Sequence, residues 1–148
     1  MRVVPEPFDA PDATALREAQ RRELEARYGR DAEPGAKPSA DDVLVFVVAR
    51  DDDGTPLGCG GLRRLDATTA EIKRMYVPPE GRGRGVGGQI LRALEDQARQ
   101  RGITTLKLET GPRQPESVRL YEKHEYVPIP CWGAYAGEPD SLCMERHL

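Results

Sequence analysis

Chemistry in this chain is most concentrated between Glu71 and Gly88, read as EIKRMYVPPEGRGRGVGG. The order of residue types predicts a strand, a Pro-Pro turn, a glycine-rich loop and the start of a helix. The first N–H groups of a helix have no intrahelical partner and the helix dipole favours negative charge there, so this order makes an anion site. Gly83, Gly85, Gly87 and Gly88 let the main chain approach a ligand without a Cβ in the way, and Arg82 and Arg84 add positive charge. The expected ligand group is a phosphate or pyrophosphate. A nucleotide P-loop is excluded because no Gly-Lys-Ser/Thr closes the loop. The dinucleotide pattern GxGxxG is present as Gly83, Gly85 and Gly88. However, Pro78 to Arg82 separate it from its strand, where that fingerprint needs a tight turn.

Other reactive side chains form no comparable pattern. Asp51-Asp52-Asp53-Gly54 reads as a solvated hairpin tip before it reads as a metal site. His124 and His147 have no spaced partner, and Cys59, Cys131 and Cys143 are too scattered for zinc, so no metal is expected. An odd, widely spaced set of cysteines also argues against a disulfide framework and for a reducing compartment. Glu71 lies in a strand, where it can pair with Lys73, Arg74 or a cross-strand cation.

These residues need a scaffold. Met1 to Val4 reads as a short strand ended by Pro5 and Pro7. Asp12 to Tyr28 reads as a helix with Asp12 as N-cap, the stripe Leu16, Gln20, Leu24 and Tyr28, and Gly29 as the stop. Arg30 to Asp42 is rich in Pro, Gly and acid and reads as a mobile loop. Val43–Ala49 and Leu57–Leu65 make an antiparallel hairpin, in which Gly58, Gly60 and Gly61 mark a bulge or a close approach of backbone. Thr68 to Val77 continues the meander into the glycine loop, and Val86 to Arg101 is an amphipathic helix stopped by Gly102. Ile103 to Leu108 returns after that crossover and should lie parallel to the 68–77 strand. A short helix, Pro115 to His124, precedes two last strands, Tyr126–Ile129 and Ser141–Glu145. The order β-α-β-β-β-α-β-α-β-β predicts one α/β domain over residues 1–148, a mixed sheet with helices on both faces.

Composition narrows the function classes. The net charge of −3 offers no global basic field for nucleic acid, and no apolar run approaches the ~18 residues a membrane span needs. The N-terminal stretch MRVVPEPFDAPDA lacks an apolar signal core, so a soluble cytoplasmic protein is expected.

Arg82-Gly83-Arg84-Gly85-Val86-Gly87 resembles the Arg/Gln-x-x-Gly-x-Gly/Ala signature of the GCN5-related N-acetyltransferase (GNAT) superfamily. The preceding 71–77 strand resembles that family's central strand, and Ser117-Val118-Arg119-Leu120-Tyr121-Glu122-Lys123 its helix with a Leu-Tyr pair. The resemblance implies a mostly antiparallel sheet of six to seven strands with a splayed central parallel pair. It implies acetyl-CoA as co-substrate, its pantetheine arm along Met75, Tyr76 and Val77 and its pyrophosphate in Arg82 to Gly88. Gln114, where the family often has Asn, and Ser117 join the cofactor site. Tyr121 matches the general acid for the departing thiolate, and Glu71 a position often used as general base, with Glu109 the alternative. An amine must lose its proton before it attacks a thioester, and a backbone N–H near Met75–Val77 would steady the negative oxygen.

The expected acceptor is a small-molecule primary amine, a simple amine or an amino acid derivative, met in a ternary complex without a covalent enzyme intermediate. Its pocket is expected from Arg22, Tyr28, Arg74, Glu109 and the Trp132–Tyr135 loop. A non-catalytic acyl-CoA sensor and a protein acetyltransferase are the alternative readings. Final strands in this family often pair between subunits, which allows a homodimer. Where the family has Gly-Phe after the Leu-Tyr helix, this chain has Glu125-Tyr126, which puts the end of that helix in question.

Overall fold

In the computed structural model, which describes residues 1–29, 39 and 41–148, seven strands and three helices follow the expected order. The strands are β1 (Arg2–Pro5), β2 (Val43–Arg50), β3 (Pro56–Arg64), β4 (Thr69–Tyr76), β5 (Thr105–Thr110), β6 (Val127–Ile129) and β7 (Leu142–His147). The helices are α1 (Pro11–Tyr28), α2 (Val86–Gln100) and α3 (Pro115–Lys123). They form one sheet in the order β1-β2-β3-β4-β5-β7-β6, antiparallel except for the β4–β5 pair. The loop read from Arg30 to Asp42 lies outside the described residues except for Ser39, Asp41 and Asp42.

Helices cover both faces. Residues of β2 alternate between them: Val45, Val47 and Ala49 join Ile90, Leu91, Leu94 and Tyr121 of α2 and α3 in the larger core. Phe46 and Val48 pack with Ala13 and Leu16 of α1, Cys59 and Tyr76 in the smaller one. A period of two along the strand therefore feeds two separate cores. The close approach expected at the β3 glycines is real, because a Cβ on Gly58 would lie 2.8 Å from the Tyr76 carbonyl and 2.9 Å from Ile90.

Two features open the sheet. The β3–β4 register slips between Cys59 and Gly61, and Arg74 sits opposite the slip at φ +60°, so β4 bulges. Pairing of β4 with β5 then stops at Ile72–Leu108, although both strands continue, so beyond that point they have no mutual register.

Several boundaries correct the sequence reading. Asp12 is not the N-cap of α1; Ala10 holds that place and Pro11 opens the helix, while Asp12 in the first turn pairs with Arg50 at 2.9 Å. Strand β5 runs to Thr110 because β7 pairs with it that far, so Glu109 lies inside the strand. Cys131 and Cys143 form a disulfide, Cα–Cα 5.2 Å, against the expectation from cysteine number. Ile129 is the register partner of Cys143, so the β6–β7 hairpin alone brings Cys131 within reach. Glu125 ends α3 in the left-handed region at φ +72°, the conformation a glycine would supply without strain.

Candidate active site

The glycine loop takes its shape from its sequence. Gly83 (φ +76°) and Gly85 (φ +75°) adopt backbone only glycine takes easily, and Gly85 caps α2. The first turn of α2 thus presents its unpaired N–H groups at the mouth of the loop. The other two glycines serve packing. A Cβ on Gly87 would stand 3.1 Å from Leu120, and one on Gly88 3.2 Å from His124, so both let α3 lie close against α2. Val86 points into the larger core. The two arginines are paired: Arg82 donates to Glu23 at 2.7 and 2.8 Å and to the Val77 carbonyl at 2.9 Å, and Arg84 reaches Asp51 at 3.3 Å. With both guanidinium groups engaged, main-chain N–H groups are the donors this loop would offer an anion first.

A cleft of about 110 Å³ opens beside this loop, between α1, α3 and the end of β4. Met75, Tyr76, Val77, Arg82, Gly87, Gln114, Ser117 and Tyr121 all line it, so most of the expected cofactor residues meet there. Helix α1 adds Gln20, Glu23, Leu24 and Arg27 from its inward face. Gln20 donates to the Met75 carbonyl at 2.9 Å, and its own Oε1 is buried with no partner among the described residues. Arg27 pairs with Glu23 at 3.3 Å and also with Glu116, and donates to the Arg113 carbonyl at 3.2 Å, which clasps α1 to the start of α3. Tyr28 belongs to the same clasp: its hydroxyl lies 3.4 Å from Gln114 Oε1.

Tyr121 is buried at this cleft with its ring edge-on to Tyr126, centroids 5.8 Å apart. Burial, and secondarily the charge of Glu109, push its hydroxyl above the ordinary tyrosine range. A proton is therefore held firmly at that oxygen. Behind it, Tyr126 donates to Glu95 at 2.9 Å, and Arg146 pairs with the same carboxylate at 2.8 Å. Burial and then Glu95 raise Tyr126 as well. This anchor was missed in the sequence, where Glu95 reads as one more charge on an amphipathic helix.

Glu71 lies across the sheet from that anchor. It is 1% exposed, its Oε1 accepting from Arg63 at 2.9 Å and its Oε2 from the Tyr135 hydroxyl at 2.5 Å. Lys73 stands 3.7 Å from Oε2 and donates to Tyr135 at 2.9 Å. Trp132 packs edge-on against Tyr135, centroids 5.2 Å apart, on the loop that the 131–143 disulfide closes. The cross-strand pairing that the strand position allowed is thus present, with Arg63 as the cation.

Glu109 occupies different ground. It lies two residues beyond Lys107, past the β4–β5 separation, and Ser141 donates to it at 2.8 Å. Its charge is felt at both Tyr28 and Tyr121. Arg74 sits on the bulge under α1, beside Arg17, its carbonyl 3.3 Å from the Cys59 thiol. Arg22 does not join the site, because it is exposed on the outward face of α1. The stripe Leu16, Gln20, Leu24 and Tyr28 faces inward, and two residues beyond Gln20 a helix has turned through about 200°.

Comparison with known proteins places this geometry. The model of the acetyltransferase (GNAT) family matches residues 12–126. An IAA acetyltransferase of Azospirillum brasilense is 37% identical over 125 residues, which are 84% of this chain and 78% of that protein. A solved structure from Klebsiella pneumoniae subsp. pneumoniae MGH 78578, provisionally named an acyl-CoA N-acyltransferase, superposes with a TM-score of 0.84 at 29% identity, covering 99% of this chain and 97% of that one. A GNAT family acetyltransferase from Elizabethkingia anophelis, solved with acetyl-CoA bound, has the same fold at a TM-score of 0.72 and 20% identity, over 99% and 97% of the two chains.

Proposed function

The chain belongs to the acetyltransferase (GNAT) family and is an acyltransferase, and from that premise we propose that it moves the acetyl group of acetyl-CoA to the primary amine of a small molecule, directly, in a ternary complex. One observation carries the reading: a single cleft is lined both by the glycine loop (Arg82, Gly87) and by Tyr121, whose hydroxyl holds its proton. The relative solved with acetyl-CoA shares this fold and supports the choice of thioester. The site suits that molecule, with the α2 N-terminus for a pyrophosphate and an orphaned acceptor on Gln20 inside the cleft for an amide N–H. Acetyl-CoA supplies an activated acyl carbon and a thiolate leaving group.

The chain's residues supply the rest. Glycine-loop N–H groups bind the diphosphate, and the end of β4 with Gln114 and Ser117 aligns the arm. Tyr121 gives its phenolic proton to the departing sulfur. The arriving amine needs a base, and Glu109 is better placed for that than Glu71. Glu71 is buried beneath Arg63 and Tyr135, whereas Glu109, which accepts from Ser141, is partly exposed past the strand separation and its charge is felt at Tyr121. Glu71 then organises the sheet face beneath the acceptor.

Titration with acetyl-CoA and a thiol-release assay over an amine panel test the proposal. Saturable binding, turnover and intersecting initial-rate lines are expected. Tyr121→Phe should lower kcat by about 10²–10⁴-fold. Unchanged turnover in that variant removes Tyr121 from the acid role, and parallel lines count against direct transfer.

A further inference from the structure

The face of the sheet beyond α1 carries a row of alternating charge. Arg63, Glu71, Lys107 and Glu145 are successive register partners on β3, β4, β5 and β7. Three of them are satisfied inside the row or beside it. Arg63 pairs with Glu71, Glu71 also accepts from Tyr135, and Glu145 lies 3.4 Å from His147. Lys107 is the exception. Although a carboxylate stands on each neighbouring strand, no ion pair forms to it among the described residues, and its ammonium lies instead 5.4 Å from the centroid of the Trp132 ring. An ammonium over an indole face is steadied electrostatically yet spends none of its three N–H donors. The stem is half-buried, so the charge is held at one place rather than swept through solvent.

Its position is informative. Lys107 pairs with Glu71 one step before β4 and β5 part. Leu106 and Leu108 point into the larger core, so Lys107 and Glu109 share the opposite face, about 7 Å apart along the strand. A fixed cation and the proposed base therefore stand side by side at the opening. That is the complement of a molecule with an amine at one end and an anion a few bonds away.

We infer that the acetyl acceptor is an amino-acid-like molecule, whose carboxylate is bound by Lys107 against Trp132 while its amine is delivered to Glu109. This rests on the acetyl transfer proposed above and adds the acceptor's chemical class. A neutral or purely cationic amine would leave the Lys107 ammonium unanswered in a half-buried site. An acceptor with a carboxylate answers it with a charge-assisted hydrogen bond, which corresponds to about 10–100-fold in affinity.

Matched acceptors test the inference on the full-length protein with acetyl-CoA: phenylalanine, leucine and lysine, each against its decarboxylated amine and its methyl ester. For at least one set, kcat/KM for the acid should exceed that for the amine and the ester by about 10-fold or more. Lys107→Met, which keeps the packed stem, should abolish that preference through KM with kcat little changed. Lys107→Arg should restore it, and Lys107→Glu should invert it in favour of the diamine cadaverine. Equal efficiency for acids and neutral amines, or a preference that survives Lys107→Met, overturns the inference while leaving acetyl transfer intact. Calorimetric titration of the same acids into the protein saturated with CoA reads binding without turnover. Acid binding that needs Lys107 but no acetyl transfer would sustain the subsite and sink the proposed reaction, and no acid binding would overturn the subsite.

Discussion

Replacing Glu71 with Gln separates an organising carboxylate from a catalytic one. The side chain is isosteric but removes one negative charge from between Arg63 and Lys73, whose side chains are 23% and 6% exposed. Breaking a buried ion pair by neutralising one partner costs about 3–5 kcal/mol. The lower end applies here, because the new amide oxygen still accepts one hydrogen bond and Lys73 keeps the Tyr135 hydroxyl at 2.9 Å. For a chain of 148 residues, about 3 kcal/mol corresponds to a fall in Tm of roughly 6–12 °C. Turnover per folded molecule, assayed well below the new Tm with acetyl-CoA and the best amine of the panel, should change by less than about 10-fold. Glu109→Gln is the counterpart: its hydroxyl donor Ser141 can still bond to an amide oxygen, so that contact is kept while the carboxylate charge is removed. Loss of a general base should cut kcat by about 10²–10⁴-fold. Calorimetry or thermal melts and steady-state kinetics on both variants decide the matter. A Glu71→Gln enzyme with an unchanged Tm and a collapsed kcat, beside an active Glu109→Gln, would return the base to Glu71 and refute the reasoning.

Two further outcomes follow from backbone strain and burial. Glu125 holds φ +72° at the end of α3, so Glu125→Gly should raise stability by about 0.5–1 kcal/mol in urea denaturation, its 3.3 Å pair with Arg146 being exposed and weak; a loss of stability would show that this pair outweighs the strain. Tyr121 and Tyr126 ionise less readily folded than unfolded, and Cys59 is pushed up to about 12 by burial. Their contribution is complete below the unfolded values, near 8.5–10, and is lost as pH rises through the folded ones, by about 1.4 kcal/mol per pH unit for each group. Urea midpoints should therefore be level through about pH 8 and fall steeply above about pH 10; a midpoint that holds to about pH 11 would contradict the burial of these hydroxyls.

Local pattern carried much of this protein, because periodicity, capping and turn chemistry act over a few residues. The hairpin, the crossover helix with its Gly102 stop and the order of elements are all legible in that way, and Gly29, Gly83 and Gly85 have the left-handed backbone their type invites. The end of the motif strand and the Leu-Tyr helix both line the cleft. The same local signals misled where a partner lay far off. Arg22 was expected in the acceptor pocket with Tyr28, yet helical phase turns it outward. Gly87 and Gly88 have a second role that the loop pattern did not show, since a Cβ at either would crowd Leu120 of α3 or His124 just past its end, while Gly87 also lines the cleft.

What the sequence by itself determined is the set of elements, their order and the backbone turns of the glycine loop, since each depends on residues within one or two turns of one another. What only the tertiary structure decided is which charges meet. The bulge at Arg74 and the end of pairing at Ile72–Leu108 open the sheet, the β6–β7 register brings Cys131 to Cys143, and Tyr135 arrives from 64 residues away to cover Glu71. Those contacts depend on register and on the separation of two strands. Such quantities are set by the summed packing of both cores, and no single stretch of the chain contains them.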